Sequence, residues 1–162
     1  MNRVFLALCV LPLLFAACKK SDDTSTSVEE DLRSGTWRRT SGKVSFRDPV
    51  SRSITIHDYL ADEPDCRKDN SLKFGTAYIG TIDHGKVFCS SAETTTAFNW
   101  EISKDGTHIS LYGVQDYFPL NDLDAEILTR ALGYLTIRYQ LISADAAHST
   151  LDTLTYTDVL RR

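Results

Sequence analysis

The sequence predicts an all-β domain, an antiparallel barrel or sandwich of about eight strands. Three observations carry that prediction. Apolar and polar residues alternate with period two over most of the chain after residue 34, the pattern of strands with one buried face. Turn signals recur at intervals that suit hairpins, as at Asp48-Pro49, Asp83-His84-Gly85 and Lys104-Asp105-Gly106. Of the 162 residues, roughly 130 remain once an N-terminal leader and tether are set aside, which is one domain able to bury its own core.

The elements follow in order. Arg3, the apolar stretch Val4 to Phe15 and the small residues Ala16-Ala17 before Cys18 read as a secretory signal of the lipoprotein kind over 1–17, with the Cys18 thiol acylated to become the new N-terminus. About 20 apolar residues are needed to span a bilayer as a helix, and this run is too short. Residues 18–33 form a polar tether, its last part, Val28 to Ser34, suited to one turn of helix. The folded domain is expected over 34–162.

Thr36 to Phe46 reads as a strand, with Ser53 to His57 as its partner. A polar loop around Pro64 and Cys66 follows, and alternation restarts at Leu72-Lys73-Phe74. The chain turns at Asp83-His84-Gly85 before Lys86 to Cys89. Phe98, Trp100 and Ile102 share one face of the next strand, and Lys104-Asp105-Gly106 turns it toward Ile109 and Leu111. Residues 122–132 carry helical spacing in Leu123, Ile127, Leu128 and Ala131, yet could also pair with the strong strand Tyr134 to Leu141 across Leu132-Gly133. The hairpin is favoured over the helix, because a barrel needs a strand there. Thr150 to Val159 is the last strand.

A helical turn leading into Gly35-Thr36-Trp37 resembles the G-x-W motif of lipocalins. Together with Cys66-Arg67-Lys68-Asp69-Asn70 before Phe74, Gly85, Cys89, Phe98-Asn99-Trp100 and Asp105-Gly106, the chain resembles the lipocalin-like domain of Bacteroidota envelope lipoproteins over most of residues 34–141. The resemblance implies a lipocalin-like up-and-down barrel whose floor is closed by Trp37, with Gly35 and Trp37 as structural residues and Arg138 packed across the tryptophan. Lys19-Lys20-Ser21-Asp22-Asp23 likewise resembles the signal that sends some of these lipoproteins to the cell surface, so an outer-membrane location is expected.

Charge and cysteine usage narrow the function. The net charge is −4, or −5 once Arg3 leaves with the signal, and no basic cluster longer than a pair occurs. Nucleic acid is therefore not an expected partner. Of four cysteines, Cys66 and Cys89 remain after Cys9 is removed with the signal and Cys18 is assigned to lipid, and an oxidising compartment favours a disulfide between them. Cysteine and histidine spacing gives no metal motif, and no cofactor is expected.

No local motif supplies a nucleophile with its base, so the chain is expected not to be an enzyme. His57-Asp58 are strand neighbours pointing to opposite faces, and His84, His108 and His148 fall in turns or on surfaces. Tyr78, Tyr112, Tyr117 and Phe118 border loops or strand ends, where they would line a cavity rim. Binding of a small apolar ligand is the function expected first. The alternative is a non-catalytic accessory subunit of an envelope complex, using a strand edge or the loop from Gly113 to Asp124.

Overall fold

The computed structural model describes residues 24–48, 50–89, 94–145 and 150–162. The signal, Cys18 and His148 lie outside them. Nine strands form one antiparallel sheet: β1 (Thr36–Arg47), β2 (Ile54–Asp58), β3 (Ser71–Phe74), β4 (Ile79–Asp83), β5 (Thr95–Ile102), β6 (His108–Tyr112), β7 (Asp122–Ala131), β8 (Tyr134–Asp145) and β9 (Thr150–Arg161). The sheet closes because β1 pairs with β9 as well as with β3, so eight strands make a barrel. β2 is the ninth, held on the far end of β1 by pairs from Lys43↔Asp58 to Arg47↔Ile54.

The 122–132 segment is the expected hairpin, Glu126↔Arg138 through Ala131↔Tyr134 turning over Leu132-Gly133. Helical spacing loses here because β6 and β8 each need a partner, and β7 serves both. The strand returning from β4 begins at Thr95; Lys86 to Cys89 lie in the connection and carry no strand.

Trp37 and Arg39 face inward on β1, and a bulge in the pairing with β9 between Arg39 and Ser41 then shifts the phase, so Gly42 and Val44 continue the inner face. At the end where β1 starts, α1 (Thr24–Arg33) crosses the barrel floor. It is ten residues long, not a single turn, and Val28 and Leu32 belong to the core. Part of what reads as tether is thus folded against the domain.

Trp37 is fully buried and its indole Nε1 donates to the Leu32 carbonyl at 2.8 Å. The cation across its ring is Arg162, 5.2 Å from the centroid and paired with Asp31 at 2.7 Å. Arg138, expected in that position, instead binds Glu126 on the outer wall, because its place on β8 alternates out of phase with the inward Ile137 and Tyr139. Above the floor the interior is filled by aromatic contacts, with Phe74 edge-on to both Phe98 and Trp100.

Candidate functional site

The opposite end is covered by three connections lashed to one another. α2 (Tyr59–Asp62) and α3 (Asp65–Lys68) follow β2, residues 84–94 join β4 to β5, and residues 113–121 join β6 to β7. Cys66 and Cys89 stand at disulfide distance, with Cα atoms 5.2 Å apart. Arg67 donates to the carbonyls of Gln115 and Phe118, and Asn70 Nδ2 to that of Asp116 at 2.8 Å. Asp69 accepts the amides of Lys86 (2.7 Å) and Val87 (3.1 Å), which hold its carboxyl below the usual range. Each chemically distinctive member of Cys66-Arg67-Lys68-Asp69-Asn70 except Lys68 therefore ties one covering connection to another.

Gly85 belongs to this lashing. Its φ is +69°, and a Cβ there would lie 2.3 Å from an Asp69 carboxylate oxygen. No other residue satisfies both conditions.

Tyr117 and Phe118 do not line a rim. Their connection lies at the open end as expected, but both side chains turn inward and are fully buried, with Val114 beside them. Tyr117 OH reaches the Trp37 carbonyl at 3.3 Å, and Phe118 meets Tyr139 edge-on. They plug the barrel because an apolar segment crossing an open barrel end buries more area inside it than over it. Tyr78 sits at the closed end, half-exposed, its ring 5.4 Å from Trp100 and its hydroxyl donating to Glu29 of α1. Tyr112 lies on the outer wall, since it alternates with the buried Leu111. The four aromatic residues therefore form no common site.

What the covered end encloses is a polar cluster centred on Arg39. Its side chain is 3 % exposed and forms an ion pair with Glu63, the residue that caps the C-terminus of α2. The guanidinium carbon stands 5.3 Å from the ring centres of Tyr59 and Tyr117 and 5.8 Å from that of Phe118. Its Nε is buried without a hydrogen-bond partner among the described residues.

Below it, fully buried Asp158 accepts from Tyr59 OH at 2.5 Å and Tyr139 OH at 2.8 Å. Burial pushes the Asp158 carboxyl up to about 6, although Arg39 and the two hydroxyls act to lower it. Burial also raises Tyr59, Tyr117 and Tyr139, so all three remain phenols and can donate. Arg39 stays a cation: desolvation opposes its charge, but Tyr59, Asp158 and Glu63 outweigh it.

α2 reaches this cluster because β1 has no side chain beneath it. A Cβ on Gly42 would lie 2.9 Å from Asp158 Oδ1 and from Tyr59 Cζ, and 3.1 Å from Leu60 Cβ. The helix itself has four residues, of which none is buried, and is capped by Asp58 accepting from the Ala61 amide at 3.1 Å. The carboxylate bonded directly to the buried guanidinium among the described residues thus comes from Glu63, directly after this short helix, with its side chain 10 % exposed.

The signal for Arg39 and Asp158 is the phase of their strands. Trp37 is inward, so Arg39 two positions on is inward as well; Asp158 lies between inward Tyr156 and Leu160. Tyr59 and Glu63 lie outside the strands and give no such signal. Of the described histidines, His57 pairs with Asp62 at 2.7 Å on the surface, His84 Nε2 meets Thr96 at 2.8 Å and Asp116 at 3.9 Å, and His108 meets Thr107 at 2.9 Å. Among the described residues no group of three or more His, Cys, Asp or Glu could hold a metal ion. No family model matches the chain, and no curated protein matches it at a significant level.

Proposed function

We propose that this protein is a lipid-anchored, non-catalytic binding protein of the lipocalin-like kind, displayed at the outer membrane, and that its ligand is a small, mainly apolar molecule carrying one acid group. The observation that carries the proposal is the ion pair between buried Arg39 and Glu63. A buried guanidinium is costly unless paired, and its partner Glu63, whose side chain is 10 % exposed, is positioned directly after a four-residue helix none of whose own residues is fully buried. A ligand carboxylate can replace Glu63 on Arg39, whose buried Nε has no partner among the described residues, and keep its apolar body against Tyr139 of the barrel wall. Binding then lifts α2 and displaces the 113–121 plug, in the manner of a lid.

The test is a titration of the full chain with a dansyl-labelled fatty acid and with its methyl ester. The acid is expected to bind saturably and the ester at least about tenfold more weakly, the loss for an unpaired buried charge of about 1.4 kcal/mol or more. Arg39→Met should erase that preference. Glu63→Gln should tighten the acid, because the competing carboxylate is gone. Equal affinity for acid and ester, or a Glu63→Gln variant that binds the acid more weakly, would refute the assignment.

A further inference from the structure

We propose that the cleft in the barrel wall between β7 and β8 takes an extended peptide with basic side chains, added as a strand along the free edge of β8. The inference uses neither Arg39 nor the α2 lid and goes beyond the ligand reading.

The cleft follows from the register. β8 pairs with β9 along its whole length, Tyr134↔Arg161 to Asp145↔Thr150. Its pairing with β7 ends at Glu126↔Arg138, although β7 continues on β6 up to Tyr112↔Asp122. From Tyr139 onward β8 therefore has one edge unpaired among the described residues, and β7 has the matching edge over Asp122 to Ala125. Such edges present backbone N–H and C=O groups at strand spacing, which an added strand satisfies. Where they part lies a cleft of about 460 Å³, lined by His108, Asp124, Glu126, Arg138, Tyr139, Gln140 and Thr155.

The lining sets the charge of the occupant. Arg138 is held by Glu126 through Nε at 3.2 Å and Nη2 at 2.5 Å, so this pair neutralises itself. Asp124 accepts only the Ser110 hydroxyl, at 3.1 Å, among the described residues, and no cation answers it. An added strand whose outward side chains include Lys or Arg supplies that cation. Alternate residues of the same strand face Asp124 or away from it, so basic residues at every second position suit the cleft.

The experiment uses the full chain and a fluorescein-labelled, end-blocked peptide of about eight residues, an ordinary strand length, alternating lysine with valine. Controls are the same peptide N-methylated at alternate backbone positions and a version with glutamate for lysine. The lysine peptide should raise the anisotropy saturably, and N-methylation should weaken it about tenfold or more, since main-chain hydrogen bonds are lost. Asp124 is exposed, so Asp124→Lys should fold normally by circular dichroism and shift the preference to the glutamate peptide. Asp124→Asn, closer in shape, should weaken the lysine peptide severalfold. No saturable binding, equal binding of the N-methylated peptide, an unchanged preference in Asp124→Lys, or displacement of the peptide by a neutral oligosaccharide that binds more tightly would overturn the proposal.

Discussion

Asp158 lies between Tyr156 and Leu160 on β9, and the alternation that buries those neighbours buries it too. The folded protein therefore holds a carboxyl that prefers its proton, with the pKa raised from 3.8 to about 6. Because the folded form binds the proton more tightly than the unfolded chain, the associated stability is complete below about pH 3.8 and is lost as pH rises through about 6. The loss is on the order of 3 kcal/mol at 1.36 kcal/mol per unit. Denaturant melts of wild type and Asp158→Asn between pH 3 and 8 should give a difference that declines across that window and is flat above it. A difference growing with pH would mean that Asp158 is ionised and stabilised by Arg39. Gly85 gives a second residue-scale prediction. Gly85→Ala forces a Cβ into Asp69 at positive φ, and should cost roughly 1–3 kcal/mol, the range for strained backbone positions, read as a lower midpoint in urea.

At the scale of elements, the two ends of the barrel are closed by different means. The floor is closed by α1, Trp37 and Arg162; the covered end by connections that have little regular structure but many cross-links. The sequence displays most strands well because alternation is a local property, and β1, β5, β6, β8 and β9 fall where their patterns place them, whereas β7 carries helical spacing and is a strand because the barrel needs one there. It displays the covering connections poorly. Tyr117 and Phe118 sit among turn-forming residues and so read as a rim, whereas their burial depends on the barrel's depth, which no local pattern encodes. Arg162 replaces Arg138 over Trp37 for a related reason, since the chain end returns to the floor only through the closure of β9 on β1. Trp37→Ala and Tyr117→Ala should accordingly lose comparable stability, about 3–5 kcal/mol each, as expected for a buried large aromatic. Chemical denaturation of both variants is the measurement, and a Tyr117→Ala loss below about 1 kcal/mol would show that the plug does not fill the interior in solution. Replacing Cys66 and Cys89 by Ser should remove about 2–5 kcal/mol and raise amide exchange in 113–121 as well, since Arg67 beside Cys66 holds that connection.

On the scale of the whole molecule, the proposed lipid anchor would join the barrel to the membrane through the N-terminus. Among the described residues no helix is long and apolar enough to cross a bilayer; the proposed anchor is the acylated Cys18. α1 begins at Thr24, six residues after Cys18, and six extended residues reach about 20 Å. A lipid on Cys18 would hold the floor end of the barrel within about that distance of the headgroups, because α1 packs on the floor through Val28 and Leu32. The covered end, with the Arg39 cluster, lies on the other side of the barrel from α1, and β2 extends that end further along β1. Labelled palmitate should enter the wild-type chain and be absent from Cys18→Ala, which should be released to the soluble fraction or keep its signal. In intact vesicles, cross-linkers shorter than about 20 Å should join lipid headgroups to residues near α1, such as an engineered cysteine at Glu30, and not to one at Asp62 beside the Arg39 cluster. Palmitate retained in Cys18→Ala would remove the anchor; equal cross-linking at Glu30 and Asp62 would leave the anchor in place but show that the barrel lies on its side, with the Arg39 end turned toward the lipid.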